Sequence, residues 1–403
     1  MSTPPPPLQG IRVLEIASMM FAPLAGQYLG DMGADVIKLE PPEGDLTRHI
    51  GPRRSPAMAA FFMSANRSKR SIVVDLKRPE GREILLRLAR QTDVLVHSLR
   101  TPAAERLGLG YEALAAVNPG LIHCHATGFG DEGAYAGRPA YDDVVQAASG
   151  LAGAQVAVAG QPRYLPSIVA DKVSGVHIAY AIALALFHRQ RTGQGQRIDV
   201  PMFETMAAFN MLENQWGHVF HPPLGPMGYQ PVTTASRRPY RTLDGYLSVL
   251  PYSDEHWRQF FELAGAPERM QDERFATFAM RQKHFREVWD EVERQVAKKT
   301  NAEWLALLGQ ADLPFSVVNS YEDLPEDPHL NSVGFWSVAQ HPTEGELLMP
   351  ANPLALHGSP PAVTRLQPNL GEHGAEILAE LGYAGDQIAG WTAAGGVCAA
   401  ALP

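Results

Sequence analysis

Asp171 is the residue whose type and position most directly suggest chemistry in this chain. It lies between a polar segment that contains proline and glycine and the apolar run 176–187, in which alanine, isoleucine and leucine recur at helical spacing. A carboxylate in such a place can act as a nucleophile that forms a covalent acyl intermediate. An aspartate at a helix boundary can equally cap the helix, by accepting a hydrogen bond from a backbone N–H two or three residues on. Spacing alone favours the cap.

The first 200 residues predict an α/β fold with a parallel sheet. Residues 11–16 and 36–39 are β-prone and flank a helix expected at about 23–32, which makes a strand–helix–strand unit. Further strands are predicted at 71–75, 93–96, 121–125 and 196–200. The loop at 18–23 follows the first strand and lies at the carboxyl end of the sheet, where open α/β sheets bind ligands. It contains no Gly-x-Gly-x-x-Gly, so no nicotinamide or flavin cofactor is expected.

A proline-rich segment at 222–226 changes the composition abruptly and predicts a domain boundary. We expect a large Rossmann-like domain at 1–220, a small domain at 226–325, and a C-terminal segment at 326–403 that returns to the large domain. Within the small domain, Asp244 and Gly245 predict the turn of a β-hairpin. After Asp327 and Pro328 the sequence predicts loop until a helix that opens at 371–373.

The composition is that of an ordinary globular protein with an acidic balance. Among 403 residues there are 34 Lys and Arg and 43 Asp and Glu, a formal net charge of −9. This argues against a nucleic-acid partner, which would need a basic face. The two cysteines, Cys124 and Cys398, indicate neither a disulfide framework nor a metal site and fit a reducing cytoplasm. The start of the chain lacks a signal-peptide pattern, and the run 176–187 is short for a membrane span, so no membrane partner is expected.

Nine different short motifs occur along the chain in a particular order. They lie at 10–15, 29–40, 44–48, 66–71, 105–108, 140–150, 171–175, 192–196 and 370–373. In order and spacing they resemble the family III CoA-transferases, a family that also includes the α-methylacyl-CoA racemases as close relatives. The resemblance extends from about residue 8 to 385, and it depends on the set of motifs rather than on any one of them.

The resemblance implies a Rossmann-like domain with a smaller second domain, in two interlocked ring-shaped chains. It implies that Asp171 is the nucleophile. Tyr141 and Asp142, at the start of the helix that follows the glycine-containing loop at 128–133, match the pattern of the transferase branch of the family. The substrates would then be an acyl-CoA and a small carboxylic acid. Coenzyme A would enter as part of the substrate, with no metal, nicotinamide or flavin. This reverses the preference for the cap.

The resemblance also implies a set of CoA contacts. They are Ser18, Met19, Met20, Phe21, Val74, Ser98, Leu99, Ala103, Arg106 and Met202. Arg106 is expected to pair with a CoA phosphate, as arginine does well, with a solvated surface charge as the alternative. Arg48, Arg70 and Arg138 are weaker candidates. Two positions depart from the family pattern, because Ser18 stands where a relative has histidine and Pro41 where an arginine is expected.

A further departure concerns the small domain. The formyl-CoA transferases have a glycine-rich loop over the active site, and the corresponding residues here, 232–238, contain no glycine run. Arg237 and Arg238 in this segment are candidates for meeting an acceptor carboxylate, with a solvated turn as the alternative.

Two other functions compete with CoA transfer. A racemase on the same scaffold needs two acid–base groups flanking the α-carbon. Tyr141 stands where the racemase relatives have a histidine, and Ser253 falls nearest the position of their second acid, beside Asp254 and Glu255. The third possibility is a catalytically idle acyl-CoA-binding protein, which the intact Asp171 motif disfavours. We therefore predict a cytoplasmic, homodimeric acyl-CoA:carboxylate CoA-transferase, whose donor and acceptor acids the sequence does not name.

Overall fold

Six parallel strands form the central sheet of a computed structural model that describes residues 4–233 and 236–393. The strands are β1 (Arg12–Ile16), β2 (Asp35–Glu40), β3 (Lys69–Val73), β4 (Val94–His97), β5 (Ile122–Thr127) and β6 (Gln196–Pro201). Their order across the sheet is β3-β2-β1-β4-β5-β6, and each neighbouring pair is parallel. The order reverses between β1 and β4, so the crevice beside these two strands is the expected ligand site. The predicted parallel α/β fold is confirmed.

The helices that cover the sheet and build the rest of the chain are mostly short. Among the described residues they are α1 (Phe21–Asp31), α2 (Ala60–Met63), α3 (Pro79–Arg90), α4 (Thr101–Arg106), α5 (Tyr111–Val117), α6 (Asp142–Ala148), α7 (Leu151–Ala154), α8 (Val156–Ala159), α9 (Val169–Thr192), α10 (Met202–Asn214), α11 (Gln230–Thr233), α12 (Asp254–Ala264), α13 (Glu273–Ala276), α14 (Phe278–Lys283), α15 (Phe285–Val296), α16 (Asn301–Leu308), α17 (Pro328–Ser332), α18 (Gly374–Glu380) and α19 (Gly385–Ala393).

The sheet is buried on both faces, as a parallel sheet must be. Leu14 faces one apolar cluster, which it shares with residues of α3, α5 and α18. Its neighbour Val13 faces the other, which contains residues of α1, α6 and α9. Because successive strand residues point to opposite faces, the near-continuous apolar strands of the sequence supply both clusters at once.

Helix α9 packs against α1 at close range. A Cβ built on Gly175 would lie 2.7 Å from the backbone oxygen of Phe21, so only glycine permits this approach. The 24-residue helix is longer than the apolar run 176–187, and at a mean hydropathy of 1.4 it is long and apolar enough to cross a membrane by length and composition alone. Core helices pass the same test, so this is weak evidence. The packing places the second turn of α9 beside the first turn of α1.

The chain divides into two compact units. One consists of residues 1–153, 163–212 and 334–403, and the other of 154–162 and 213–333. The second unit contains a three-stranded antiparallel sheet of β7 (Tyr240–Arg241), β8 (Tyr246–Val249) and β9 (Phe315–Val317), so the hairpin expected around Asp244 and Gly245 is present. Its core is rich in aromatic side chains, and the buried Trp304 donates its indole N–H to the carbonyl of Val296 at 2.9 Å. The domain bounds predicted from the sequence stay a prediction.

One stretch of the C-terminal segment differs from expectation. The sequence predicts loop after Pro328, but β10 (Trp336–His341) and β11 (Gly345–Pro350) pair as an antiparallel hairpin. Most residues of both strands are exposed or half-buried, so the alternation of apolar and polar residues that announces a strand is weak here. The prediction of loop was wrong because backbone pairing, rather than a buried face, defines this hairpin.

Candidate active site

A cavity of about 270 Å³ opens at the carboxyl ends of β1, β4 and β5, where the strand order reverses. Its walls come from Ser18, Met19, Phe21, Ser98, Arg100, Ala126, Thr127, Gly128, Arg138, Pro139, Ala140, Tyr141, Asp171 and Met202. These residues are separated by up to 184 positions in the chain, and the sheet brings them together. Six of the predicted CoA or catalytic residues besides Asp171 line this cavity, which makes it the candidate active site.

Asp171 occupies the third position of α9, and its side chain is 7% exposed. The helix begins after Ile168, which provides no side-chain cap. The side chain of Asp171 thus does not cap the helix, which was the alternative to its expected role as nucleophile. Its own backbone N–H donates to Oδ1 of Asp142 at 3.0 Å, so Asp142 supplies the capping oxygen from another helix. The Asp171 carboxylate is thus left to face the cavity.

Burial raises the pKa of the Asp171 carboxyl to about 7, and the charge of Asp142 adds to the effect. Both causes disfavour the ionised form in the same direction. At neutral pH the group is thus divided between acid and carboxylate. A carboxylate with such a pKa is more basic than an ordinary aspartate and is less shielded by water, which suits a nucleophile.

The side chain of Gln146 supports the contact between Asp142 and the start of α9 through three hydrogen bonds. Its side chain is fully buried, and its Nε2 donates to Oδ2 of Asp142 at 2.6 Å and to the carbonyl of Ser167 at 3.1 Å. Its Oε1 accepts the N–H of Leu165 at 2.9 Å. One amide therefore ties α6 to the segment that leads into α9. The sequence analysis missed Gln146, and the only available signal was its position one helical turn after Asp142.

Tyr141 stands at the N-terminal end of α6 and lines the cavity, although its side chain is 62% exposed. Asp142 itself is buried and does not line the cavity; it contacts the Asp171 backbone instead. The structure thus brings the three predicted catalytic residues together in two different ways. Asp171 and Tyr141 face the open space, while Asp142 supports the start of α9.

The loop after β1 carries backbone strain at the cavity wall. Met19 has φ of +67°, in the left-handed region that non-glycine residues rarely adopt. Its N–H points to Oδ1 of Asp45 at 3.4 Å, and the N–H of Ser18 to the hydroxyl of Ser98 at the same distance. Helix α1 begins immediately afterwards, without a side-chain cap and without an acidic residue in its first turn. Its first N–H groups therefore keep their capacity to bind negative charge.

A buried ion-pair network underlies this loop. Lys38 contacts Glu15 at 2.9 Å and Asp45 at 2.8 Å, and Lys69 contacts the other oxygen of Glu15 at 2.8 Å. Burial lowers the pKa of Lys69 to about 8, while the carboxylates around Lys38 raise the pKa of that ammonium group despite its burial. The cations are fully enclosed, so they fix the loop through Asp45 rather than meet a ligand.

Two of the weaker arginine candidates are used internally. Arg48 pairs with Glu40 at 2.7 Å and is fully buried. Arg70 pairs with Asp35 at 2.6 Å and with Glu380 at 2.7 Å. Neither lines the cavity. Their interactions hold the sheet and α18 together.

Several predicted CoA contacts lie outside the cavity. Met20 and Val74 are buried, and the carbonyl of Leu99 accepts from Nε2 of His125 at 2.9 Å. Ala103 and Arg106 lie on α4, where the Arg106 side chain is exposed and its carbonyl accepts from Arg82 at 3.3 Å. Their contacts with CoA stay predictions.

Two arginines give the cavity a positive rim. Arg100 immediately precedes α4, and Arg138 lies 4.2 Å from the centre of the Tyr135 ring. The sequence analysis weighted Arg138 lightly and missed Arg100. A signal for Arg100 was present, because it follows β4 by three residues and so falls at the carboxyl edge of the sheet. Gly128 is also required here, since a Cβ on it would lie 2.6 Å from Cβ of Ala140.

A buried carboxyl group with a raised pKa therefore lies at the switch point of an open parallel sheet. Comparison with known proteins then gives the family. The family model for CoA-transferase family III matches residues 8–374, and the chain belongs to this family.

Individual relatives agree with this assignment. The chain is 36% identical to a succinate–glutarate CoA-transferase of Agrobacterium fabrum, over 93% of this chain and 96% of the relative. It is 30% identical to a formyl-CoA:oxalate CoA-transferase of Escherichia coli, over 95% and 97% of the two chains. A crystal structure of a CAIB/BAIF family protein from Brucella suis superposes with a TM-score of 0.81, at 32% identity, and covers 94% of this chain and 100% of that chain.

The protein is therefore a CoA-transferase, and CoA thioesters are its substrates. This confirms the predicted class of enzyme. Among residues 4–233 and 236–393, no group of three or more His, Cys, Asp and Glu side chains is arranged to hold a metal ion.

Proposed function

We propose that the enzyme transfers CoA from an acyl-CoA thioester to a carboxylic acid through a covalent intermediate on Asp171. The observation that carries this proposal is the position of Asp171, whose buried carboxylate faces a cavity at the switch point and has a pKa of about 7. A carboxylate with these properties suits nucleophilic attack on a thioester at neutral pH.

The reaction proceeds in four balanced steps. The Asp171 carboxylate attacks the thioester carbonyl, the C–S bond breaks, and CoA leaves as a thiolate from a mixed anhydride. The thiolate attacks the aspartyl carbonyl, which releases the donor acid as a carboxylate and leaves an aspartyl-CoA thioester. The acceptor carboxylate attacks this thioester and forms a second anhydride with release of the thiolate. The thiolate then attacks the acceptor's carbonyl, which gives the new acyl-CoA and restores Asp171.

Each attack places negative charge on a tetrahedral oxygen, which needs hydrogen-bond donors. The uncapped first turn of α1 meets this need, since Phe21 lines the same cavity as Asp171. In the loop after β5, the N–H of Gly130 already donates to Oε1 of Glu204 at 2.9 Å, so it is not available for this purpose. Arg100 and Arg138 at the rim supply the positive charge that suits the CoA phosphates.

One relative is named for succinate and glutarate, and the other for formyl-CoA and oxalate. We therefore propose that the acceptor is a small carboxylic acid. Neither the comparisons nor the cavity favours the racemase alternative. The Asp142 carboxylate, the nearest second acid, is occupied by the Asp171 N–H and by Gln146.

We also propose that the enzyme is a homodimer and that it is located in the cytoplasm. Val176, Tyr180, Leu184 and Phe187 recur along α9 and are 50–61% exposed, an apolar stripe suited to a second copy of the chain. Burial raises the pKa of the Cys124 thiol to about 12, so this cysteine is unreactive. A buried thiol that stays reduced is compatible with the proposed cytoplasmic location.

Trapping the intermediate tests the mechanism. The enzyme is incubated with an acyl-CoA, treated with hydroxylamine or borohydride, digested, and examined by peptide mass spectrometry. The adduct is expected on Asp171, and Asp171→Ala should show none. An unmodified Asp171 peptide in an enzyme that turns over would exclude the covalent route.

A further inference from the structure

The second unit, residues 154–162 and 213–333, contains a cavity of its own of about 310 Å³. The side chains around it are Trp216, Tyr229, Pro231, Arg237, Leu250, Pro251, Tyr252, Trp257, Phe278, Arg281, Gln282, Phe285, Val288 and Trp289. Seven of these are aromatic, and none is acidic. An apolar pocket of this size with a few polar groups is typical of a small-molecule site.

The floor and the rim of the cavity differ. Trp257 and Trp289 are almost fully buried and lie 5.4 Å apart between ring centres. Trp216, Tyr252 and Phe278 at the rim are 44–69% exposed. A flat or branched apolar body would bury these exposed rings, which is the main gain that aromatic surfaces offer a ligand. The rings therefore define the apolar part of the ligand.

The charged part of the ligand follows from the arginines. Arg281 is buried and already paired, since it contacts the carboxylate of Asp254 and donates to the carbonyl of Phe275 at 2.6 Å. Arg237 is half-buried, and no described residue accepts a hydrogen bond from its guanidinium group. It therefore leaves one uncompensated positive charge at an aromatic wall. A guanidinium in this state pairs well with a carboxylate, which its planar fork can bind through two hydrogen bonds.

We propose that this cavity binds a carboxylic acid with an aromatic or branched apolar body, with Arg237 paired to its carboxylate. Acids of this kind belong to the class of substrate that the proposed CoA transfer consumes. The inference therefore rests on the proposed function and describes more closely the acid that it uses.

Arg238 offers a matched control. It is the next residue, it carries the same charge, and it pairs with Glu293 at 2.9 Å. It does not line the cavity. Replacing Arg238 therefore removes a positive charge from the same surface without touching the site.

The test is binding of phenylacetate to the full-length protein in the absence of CoA. Isothermal calorimetry measures the affinity, and tryptophan fluorescence reports the site, because three tryptophans line it. Phenylacetamide, which lacks the charge, and acetate, which lacks the ring, are the comparison probes. Phenylacetate is expected to bind saturably. Phenylacetamide should bind about tenfold more weakly or worse, the loss expected for a hydrogen bond to a charged group, and acetate should bind about tenfold more weakly or worse because it has no ring to bury against the aromatic wall.

The variants then locate the interaction. Arg237→Gln should weaken phenylacetate binding by about tenfold or more, and Arg238→Gln should leave it unchanged. Asp171→Ala should bind phenylacetate like the wild type, although it cannot transfer CoA. Saturable, Arg237-dependent binding by a wild-type protein that shows no transfer activity would keep the site and refute the proposed function.

Three results would overturn the site itself. They are the absence of saturable binding, equal effects of Arg237→Gln and Arg238→Gln, and binding that appears only when the protein is diluted. The last result would mean that a second copy of the chain covers the cavity. Each can occur in an enzyme that transfers CoA normally, so the two failures are distinguishable.

Discussion

The Asp171→Asn variant should be more stable than the wild type at neutral and alkaline pH, because it removes a charge that the fold disfavours. The pKa of Asp171 is about 7 in the folded protein and has an ordinary value of 3.8 in the unfolded chain. Between these values the folded state holds the proton more tightly, so stability falls as pH rises through this window. Relative to a neutral isostere, Asp171 then costs roughly 2 kcal/mol at pH 5, where the folded state holds a proton that the unfolded chain releases, and roughly 4 kcal/mol at pH 8, where the buried side chain is ionised.

Urea unfolding at pH 5, 6, 7 and 8, followed by circular dichroism, measures this difference. The advantage of Asp171→Asn should grow with pH and level off above pH 7. The exposed Asp143, two helical positions from the cavity wall, provides the control, and Asp143→Asn should shift stability little at any of these pH values. A constant or absent advantage for Asp171→Asn would refute the reasoning that burial and Asp142 raise this pKa.

The same ionisation controls activity. Transfer by the wild type should rise with pH through about 7, since only the Asp171 carboxylate can attack the thioester. Asp171→Asn should be inactive at every pH while remaining folded. A stable but inactive variant separates the chemical role of this residue from any structural one.

Three further predictions follow from the contacts around the site. Gln146→Ala should lower kcat about tenfold or more with little change in KM for the acyl-CoA, because Asp142 and the start of α9 lose their shared anchor; a raised KM with unchanged kcat would instead indicate lost binding. Arg106→Ala should weaken CoA binding by about 1.5–3 kcal/mol in calorimetry, and unchanged affinity would return Arg106 to a solvated charge. Leu184→Asp should convert the proposed dimer to monomers in sedimentation, since it places a charge in the exposed stripe of α9; an unaltered sedimentation coefficient would exclude that face.

The sheet was predictable because each of its strands corresponds to a short β-prone run of consecutive residues in the sequence. Six β-prone runs alternate with helical ones, and parallel strands buried on both faces need the continuous apolar runs that the sequence has. The hairpin of β10 and β11 was not predictable in this way. Its strands present few buried side chains, so periodicity gave no signal.

The site was predictable only in part, for a similar reason. The motif at 171–175 locates the carboxylate and the glycine that lets α9 approach α1. Gln146 lies within the motif at 140–150 and Arg100 lies in none, but both roles come from positions that only the folded chain brings together. The cavity of the second unit depends on aromatic side chains that the sequence presents simply as core.

The start of α9 resolves the two interpretations of Asp171 by giving them to different residues. A helix needs an acceptor for its first N–H groups, and a nucleophile needs a carboxylate that is not already bound. Had Asp171 capped its own helix, its oxygens would have been occupied and its pKa held low. Asp142 accepts the N–H instead, and its charge also disfavours ionisation of Asp171. In the proposed mechanism, Asp142 thus contributes without touching the substrate, because it leaves the Asp171 carboxylate unbound and makes it more basic.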